Sequence, residues 1–473
     1  MKVGVIGGGP AGLTAAYELA KGGAEVQLFE ASDAVGGMCR SFQLWGQTVD
    51  LGPHRFFSSD ARVNRLWLEI AEFDYRMVDR FTRIYYGGKF FQYPLQPTNA
   101  LANLGVIEAL RCVASYGRQR ILPEPAGESF ESWVVRRFGR RLYEIFFRTY
   151  SEKLWGISCQ DLDADFAAQR IKKLSMAEVV KNAMGLTGKK HQTLVDQFAY
   201  PLGGTGMIYE RMADYIDGLG QVHLNAPVKH VTHKNQKVTG VELMSGKTVK
   251  LDHVISTMPL TLLSKGLEGV PQRVVEATKH LKFRNTILVY LRVPETDLFD
   301  DQWIYVHSPD LLVGRVTNFR NWIPELYGQS GDTILSLEYW ANDEDQLWKE
   351  TDQQLIERGK QEMRSTGLLG AAEIIDGHVV RVPRCYPVYA RNYKSHLRVV
   401  TDYLSQFQGL DPIGRYGAFK YNNQDHSILM GRLAADNLLT ARENDLWAIN
   451  TDYDSYQEAA TITSAGLVSA ETA

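Results

Sequence analysis

Cysteine is scarce: the 473-residue chain has four, Cys39, Cys112, Cys159 and Cys385, and no two form a C-x-x-C pair. That argues against a disulfide framework and a cysteine-based zinc site, predicts no bound metal, and reads as a chain of the reduced cytoplasm. An excess of one charge is lacking too. Lys and Arg number 52 against 55 Asp and Glu, a net charge of −3, so bulk electrostatics offers nothing to nucleic acid or to an anionic lipid surface. No apolar run comes near the roughly 20 residues of a membrane span. Internal repeats and low-complexity segments are lacking, and the first strand, read from residue 2, leaves no room for a signal peptide. With 44% hydrophobic and 23% charged residues the composition is that of an ordinary globular protein, long enough for two or three domains.

Glycine is plentiful, and its first cluster carries chemistry. Lys2 to Ile6 reads as a short buried strand. Gly7, Gly8, Gly9, Pro10, Ala11 and Gly12 follow, then an apolar helix from Leu13 to Leu19, and a second strand, Val26 to Phe29, ending in Glu30. This is G-x-G-x-x-G in the strand, turn, helix, strand setting of a dinucleotide site: Gly7 permits the turn, Gly9 lets backbone approach a pyrophosphate, and Gly12 lets helix pack on strand. The helix start at Pro10 and Ala11 offers N–H groups and a positive dipole end to phosphates. Glu30 is placed for ribose hydroxyls. The pair Gly36-Gly37 and then Arg40, so soon after the ribose acid, is the habit of flavin enzymes, so the cofactor expected is FAD.

The nucleotide-binding unit is interrupted. Residues 61–198 read as a mainly helical insertion, with the clearest amphipathic stretches at Asn103 to Arg120 and Glu128 to Tyr150. Within it, residues 184–198 are a candidate lid. The core resumes at Tyr200-Pro201-Leu202-Gly203-Gly204-Thr205-Gly206, a loop leading into a helix, and continues through a strand beginning at Val228 and a buried strand ending at Pro259. Residues 283–342 alternate strongly and read as an antiparallel sheet forming one wall of a pocket, within a substrate domain taken as 266–399. From residue 400 the chain returns to the core, where Gly414 to Gly417 is read as preceding a strand and Ser427 to Leu438 as a helix. The expected fold is therefore α/β: a two-dinucleotide-binding-type, Rossmann-like FAD domain (1–60, 199–265 and 400–473), an inserted helical domain and an antiparallel substrate-binding sheet.

Several interior motifs say more. Gly52-Pro53-His54-Arg55-Phe56-Phe57-Ser58 resembles the histidine loop of the UDP-galactopyranose mutases. Arg148 to Gly156 resembles their Tyr-Thr-Glu-Lys-Gln-Trp-Gly signature, and Tyr200-Pro201 with Gly203 to Gly206 resembles a loop of their eukaryotic branch. Trp303-Ile304-Tyr305 with Arg315-Val316-Thr317 is similar to their strands for the substrate diphosphate, and Gly414 to Ser427 to their C-terminal motif. The matches run in collinear order from about residue 3 to about residue 440. Ala199 is a departure: it stands where the eukaryotic mutases have an arginine on the diphosphate.

The resemblance implies a flavin-dependent nucleotide-sugar mutase interconverting pyranose and furanose rings, with N5 of reduced FAD as the nucleophile at the anomeric carbon and a role in cell-surface polysaccharide synthesis. Its partner is a nucleotide-diphosphate sugar, and NAD(P)H is the possible reductant. On the residues of this chain it implies His54 and Arg315 in catalysis. Trp155, Trp303, Tyr305, Tyr389, Tyr421 and Asn423, with Arg315, would bind substrate, and Lys153 would face the sugar. For FAD it implies Gly7, Gly9, Pro10, Ala11, Gly12 and Glu30; then Gly37, Arg40, Gly52, His54 and Val228; and, near the C-terminus, Arg415, Asp425, His426 and Ser427. A dianionic leaving group calls for fixed cations and phenols. The alternative, a redox enzyme of the amine oxidase or protoporphyrinogen oxidase type, shares the first 55 residues and the Tyr-Pro-x-Gly-Gly loop.

Overall fold

Two sheets, one parallel and one nearly all antiparallel, position everything else. The computed structural model describes residues 1–473 except 94, 96, 126, 166–196, 450–459, 464–465 and 470–473. The lid expected at 184–198 lies, up to residue 196, outside the described residues.

The parallel sheet has five strands in the order Leu410–Pro412, His253–Ser256, Lys2–Ile6, Glu25–Phe29, Gln221–His223. Val3, Val5, Val26 and Leu28 are buried, as parallel strands covered on both faces require. The fingerprint helix, Pro10–Lys21, packs against the long C-terminal helix, Gln424–Thr440. Glycines set both contacts of the fingerprint helix: a Cβ on Gly431 would meet the Ala11 carbonyl oxygen at 2.3 Å across the helix pair, and one on Gly12 the Gly7 carbonyl oxygen at 2.0 Å on the strand side. A three-stranded antiparallel sheet, Val228–Lys234, Lys237–Leu243 and Thr248–Lys250, flanks this core.

Asp50, fully buried, ties the core together. Its carboxylate accepts from Ser41 Oγ (2.5 Å), Tyr200 Oη (2.7 Å) and the Thr205 N–H (3.2 Å), and its carbonyl accepts from Tyr290 Oη (2.7 Å). Burial pushes this carboxyl up to about 6, against the pull of those donors.

The second sheet has seven strands, in the order Asp376–Pro387, Phe283–Val293, Thr333–Ala341, Arg315–Asn318, Trp303–Val306, Thr82–Tyr86, Lys89–Gln92. All neighbours are antiparallel except Trp303–Val306 beside Thr82–Tyr86, which is parallel. The last two strands come from the stretch read as helical, so the sheet reaches beyond 266–399; strands of four and five residues are too short to declare a period of two. The remaining described part of 61–198 has helices at Ala61–Ala71, Pro97–Leu104, Val106–Ile121, Phe130–Phe138 and Thr149–Trp155. The helix read as Asn103 to Arg120 is broken at Gly105, whose φ is +82°. The strand expected after Gly417 stands before it, at Leu410–Pro412, and Gly414–Gly417 is a helical turn. Among the described residues no helix is long and apolar enough to cross a membrane, and all four cysteines are buried free thiols.

Candidate functional site

A cavity of about 830 Å³ runs from the glycine turn to the seven-stranded sheet. At its first end Gly7, Gly9, Pro10, Ala11, Glu30 and Gly37 form the wall. Gly7 has φ +96°, and a Cβ there would lie 2.1 Å from Thr257 Oγ1. Gly37 has φ +53°, and its Cβ would lie 3.0 Å from Gly9 Cα. Only glycine fits both places. No side chain caps the helix at Gly9, so its first N–H groups remain for a ligand. Glu30 is held at the edge by the N–H of Gly8 (2.6 Å) and by the N–H and hydroxyl of Ser32 (2.8 and 2.7 Å). Val228 closes the flank beside Thr257 and Pro259. A cradle that any side chain would fill, an open helix start and an oriented acid suit a flavin dinucleotide. Gly12 stands one layer behind. Arg40 is not on the wall; its Nη1 donates to Asp33 at 3.0 Å near the surface.

The middle of the cavity is built on the loop Gly52 to Phe57. Gly52 turns it with φ +89°. Three separate elements then fix its backbone: Thr205 Oγ1 donates to the His54 carbonyl (2.7 Å), Gln424 Nε2 to the Arg55 carbonyl (2.8 Å), and Phe56 exchanges both backbone bonds with Ala199 (3.2 Å each). Gly52 itself lies behind the wall that His54 and Arg55 form. His54 Nδ1 is 3.1 Å from the Gly52 carbonyl oxygen. A carbonyl only accepts, so Nδ1 carries the proton and Nε2 keeps its lone pair. Burial pushes His54 down to about 3, and Arg315 and Arg415 push the same way; the ring is neutral at any physiological pH.

Arg415, on the turn Gly414–Gly417, donates from Nε and Nη2 to the Asn422 carbonyl (2.9 and 2.6 Å) and lies over the rings of Tyr386 and Tyr421. Among the described residues no carboxylate pairs with it. Burial opposes its charge, yet the group stays above its ordinary value and is protonated. From the start of the C-terminal helix, Asn423, Asp425 and Ser427 reach the cavity, while His426 does not and has Nδ1 2.9 Å from Asp425 Oδ1.

The sheet supplies the far wall through one register. Leu288, Glu338, Arg315, Tyr305 and Ile84 are directly opposite one another across five strands, so all five side chains share a face. Two residues along, Trp303 shares it too. Arg315 is not a lone cation. Its Nε and Nη2 bind Glu338 Oε1 and Oε2 at 2.7 and 2.6 Å, with the two side chains 18% and 2% exposed. Burial opposes the charge on Arg315, and the Glu338 carboxylate more than restores it. One edge of the guanidinium is spent on Glu338; the edge bearing Nη1 remains.

The helical side contributes a different face from the one expected. In Thr149–Trp155, Tyr150, Ser151 and Leu154 line the cavity. Trp155, 1% exposed, packs behind it against Tyr389 and Tyr421 (centroids 6.5 and 5.5 Å). Tyr389 also stands in that second layer, where its hydroxyl accepts from the Tyr421 N–H at 2.8 Å. Lys153 does not face the cavity. Its Nζ donates to the carbonyls of Val306, Ser308 and Val313 (3.0, 2.7 and 3.2 Å), and burial pushes it down to about 8. The reason is rotational: 100° per residue separates neighbours on a helix, and the signature motif does not reveal which of them points inward.

Of the residues expected at the substrate, Trp303, Tyr305, Arg315, Tyr421 and Asn423 line the cavity, and Trp155 and Tyr389 stand one layer behind it. Arg55, Tyr150, Tyr93 and His307 also line it, and Glu338 holds Arg315; none of the five had a role expected from sequence. Glu338 had a signal, a lone charge in the apolar run Thr333 to Ala341. Tyr150 lay inside a motif already singled out. His307 is buried, stacked on Tyr150 (4.6 Å), and pushed down to about 3 by burial and by Lys153.

Residues 10–403 match the family of flavin containing amine oxidoreductases. Amine oxidase [flavin-containing] B of Sus scrofa is 28% identical over 271 residues, 54% of this chain and 50% of that enzyme. Coproporphyrinogen III oxidase of Mycobacterium tuberculosis is 24% identical over 314 residues, 61% of this chain and 66% of that enzyme. The chain therefore spans about half to two thirds of the relatives it matches. Among solved structures, reduced UDP-galactopyranose mutase superposes with a TM-score of 0.82 at 22% identity, covering 96% of this chain and 98% of that one. At that identity the likeness is one of fold.

Proposed function

This chain belongs to the flavin-containing amine oxidoreductases, an FAD enzyme by family, and from that premise we propose that it is a nucleotide-sugar mutase rather than an oxidase. The observation that carries this reading is the charge of the cavity wall. Arg55 and Arg415 line it with no carboxylate partner among the described residues, and Arg315 keeps an edge beyond its pair with Glu338. Such a wall attracts a dianionic ester and repels a protonated amine. Tyr305, Tyr421 and Tyr150 add phenols that can donate to a diphosphate without adding charge.

In this reading residues 1–60, 199–265 and 400–473 hold FAD. Gly7, Gly9, Ala11 and Gly37 meet the pyrophosphate, Glu30 the ribose, and Arg415, Asp425 and Ser427 the flavin end. Bound in its reduced form, with NAD(P)H as the electron source, FAD would supply N5 as a nucleophile toward the anomeric carbon and return unchanged, so the reaction has no net redox. Arg315 and the phenols hold the departing diphosphate close enough to return. His54, neutral and pinned, presents Nε2 as an acceptor beside the reacting atoms and contributes no charge there. Trp155 and Tyr389 position Tyr421 from behind.

A second reading, oxidation of a carboxylate-bearing apolar substrate, is favoured by one feature: Ile84, Leu95, Phe130, Phe146 and Phe147 make part of the wall greasy. The deciding experiment presents the FAD-loaded, dithionite-reduced protein with a panel of nucleotide-diphosphate sugars, and the oxidised protein with amines and porphyrinogens. Furanose products from the first set support the proposal. Anaerobic bleaching of the flavin by any of the second set, with no furanose from the first, ends it.

A further inference from the structure

Two buried N–H donors on the sheet side of the cavity have no acceptor. Arg55 Nη1 and Trp303 Nε1 are both inaccessible to solvent, and among the described residues neither has a hydrogen-bond partner. They belong to one spot: the Arg55 guanidinium lies 5.9 Å from the centroid of the Trp303 ring, and both residues line the cavity. Buried donors left unmade are costly, and a guanidinium without a counter-charge is more so. Such groups persist where a ligand completes them.

The backbone around Arg55 is built to hold it there. The carbonyls of His54 and Arg55 and both backbone groups of Phe56 are bonded to three different elements, which preorganises the side chain between them. The Phe56–Ala199 pairing also sorts the faces. Paired residues share a side, and Phe56 and Ala199 lie together in the buried cluster around Trp67. Arg55, one residue earlier, is delivered to the opposite side, toward Trp303. Ala199, with no exposure, stays in that buried cluster and is not part of the cavity wall.

We propose that Arg55, together with the indole N–H of Trp303, is the sheet-side anion subsite of the cavity and takes the diphosphate of the substrate. This rests on the nucleotide-sugar reading. Arg415, on the turn that also carries Tyr416, is a second cation of the wall, and Arg315 is a third, with one edge given to Glu338. A diphosphate bound here would accept from Arg55 and Trp303 on one phosphoryl group and from the free edge of Arg315 on the other.

The test is calorimetric titration of the FAD-loaded protein with UDP, inorganic pyrophosphate, uridine and coproporphyrin III, comparing the parent with Arg55→Gln and Arg55→Lys, with flavin absorbance and melting temperature recorded for each. Expected is a loss of about ten- to a hundredfold in UDP and pyrophosphate affinity for Arg55→Gln, partial recovery in Arg55→Lys, and no change for uridine. Parent-like UDP and pyrophosphate binding by an FAD-loaded Arg55→Gln protein overturns the subsite while leaving the mutase reading standing. A parent protein that binds neither UDP nor pyrophosphate overturns the mutase reading and the subsite with it. Arg55-dependent binding of coproporphyrin III in place of UDP assigns the cation to a carboxylate and overturns the diphosphate. Loss of FAD by both variants, with the melting temperature kept, places Arg55 on the cofactor and overturns the proposal as well.

Discussion

Single residues decide the chemistry here through who already holds them. Arg315 was legible from sequence as a cation on a strand. Its meaning changes because Glu338, directly opposite in register, occupies one edge. Glu338 therefore aims Arg315 and also moderates its charge. Replacing Glu338 by Gln keeps the shape and removes the charge, so anion binding should strengthen while the aim is lost: kcat is expected to fall roughly tenfold with KM not raised, about 1.4 kcal/mol of transition-state stabilisation. Glu338→Ala leaves Arg315 without its partner and should cost about 3 kcal/mol of stability, read as a lowered melting temperature. Two histidines make a second prediction. His54 and His307 are held near 3 by burial, so the folded protein refuses protons that the unfolded chain accepts below about 6.5. Their contribution is complete above that pH and is lost as pH falls toward 3. Asp50, raised to about 6, acts in the opposite sense between about 4 and 6, and two histidines outweigh one carboxyl by about one proton. Stability should thus fall by about 1.4 kcal/mol per pH unit on acidification through that window, visible as a lower urea midpoint at pH 5 than at pH 7.5. Arg55 was hard to find in the sequence because its significance comes from Trp303, more than 200 positions away, and from a partner it lacks; Glu338 was hard to find because only strand register sets it opposite Arg315.

At the scale of elements, the fingerprint helix and the C-terminal helix meet through glycine. Gly431→Ala would drive a Cβ to 2.3 Å from the Ala11 carbonyl oxygen and 2.9 Å from Thr14 Cβ. Overpacking of this kind costs about 1–3 kcal/mol, and here it also displaces the helix start that faces the cofactor. The expected outcome is a lower melting temperature together with loss of bound flavin, measured by absorbance after desalting; a variant that keeps full flavin would show that the helix start tolerates the shift. Elements were the most legible level. The turn, helix and strand of residues 2–30 are local patterns with their own glycines, and the strands Phe283–Val293 and Thr333–Ala341 are long runs rich in apolar residues, buried along nearly their whole length. Short elements were not legible. Thr82–Tyr86 and Lys89–Gln92 join the sheet by pairing alone, and Leu410–Pro412 is a three-residue strand that only its neighbour His253–Ser256 defines. The facing of Thr149–Trp155 shows the same limit: a motif names the helix, and packing chooses Tyr150 over Trp155 for the cavity.

For the whole molecule, segments from most of the chain's length line one cavity whose first end suits a flavin dinucleotide and whose far wall is cationic and phenolic. The α/β architecture was readable because the dinucleotide fingerprint is contiguous; the character of the cavity was not, because it is assembled from residues 7 to 427. The relatives include oxidases, and the fold is shared with a mutase. What separates them is whether electrons leave the substrate. The direct measurement is the flavin spectrum under strict anaerobiosis during turnover of a nucleotide-diphosphate sugar by the dithionite-reduced protein. The account predicts furanose formation only after reduction, with the reduced spectrum unchanged from first turnover to last and no oxygen consumed when air is admitted beyond background. Turnover by the oxidised protein, with the flavin bleaching in step with the substrate, would contradict it.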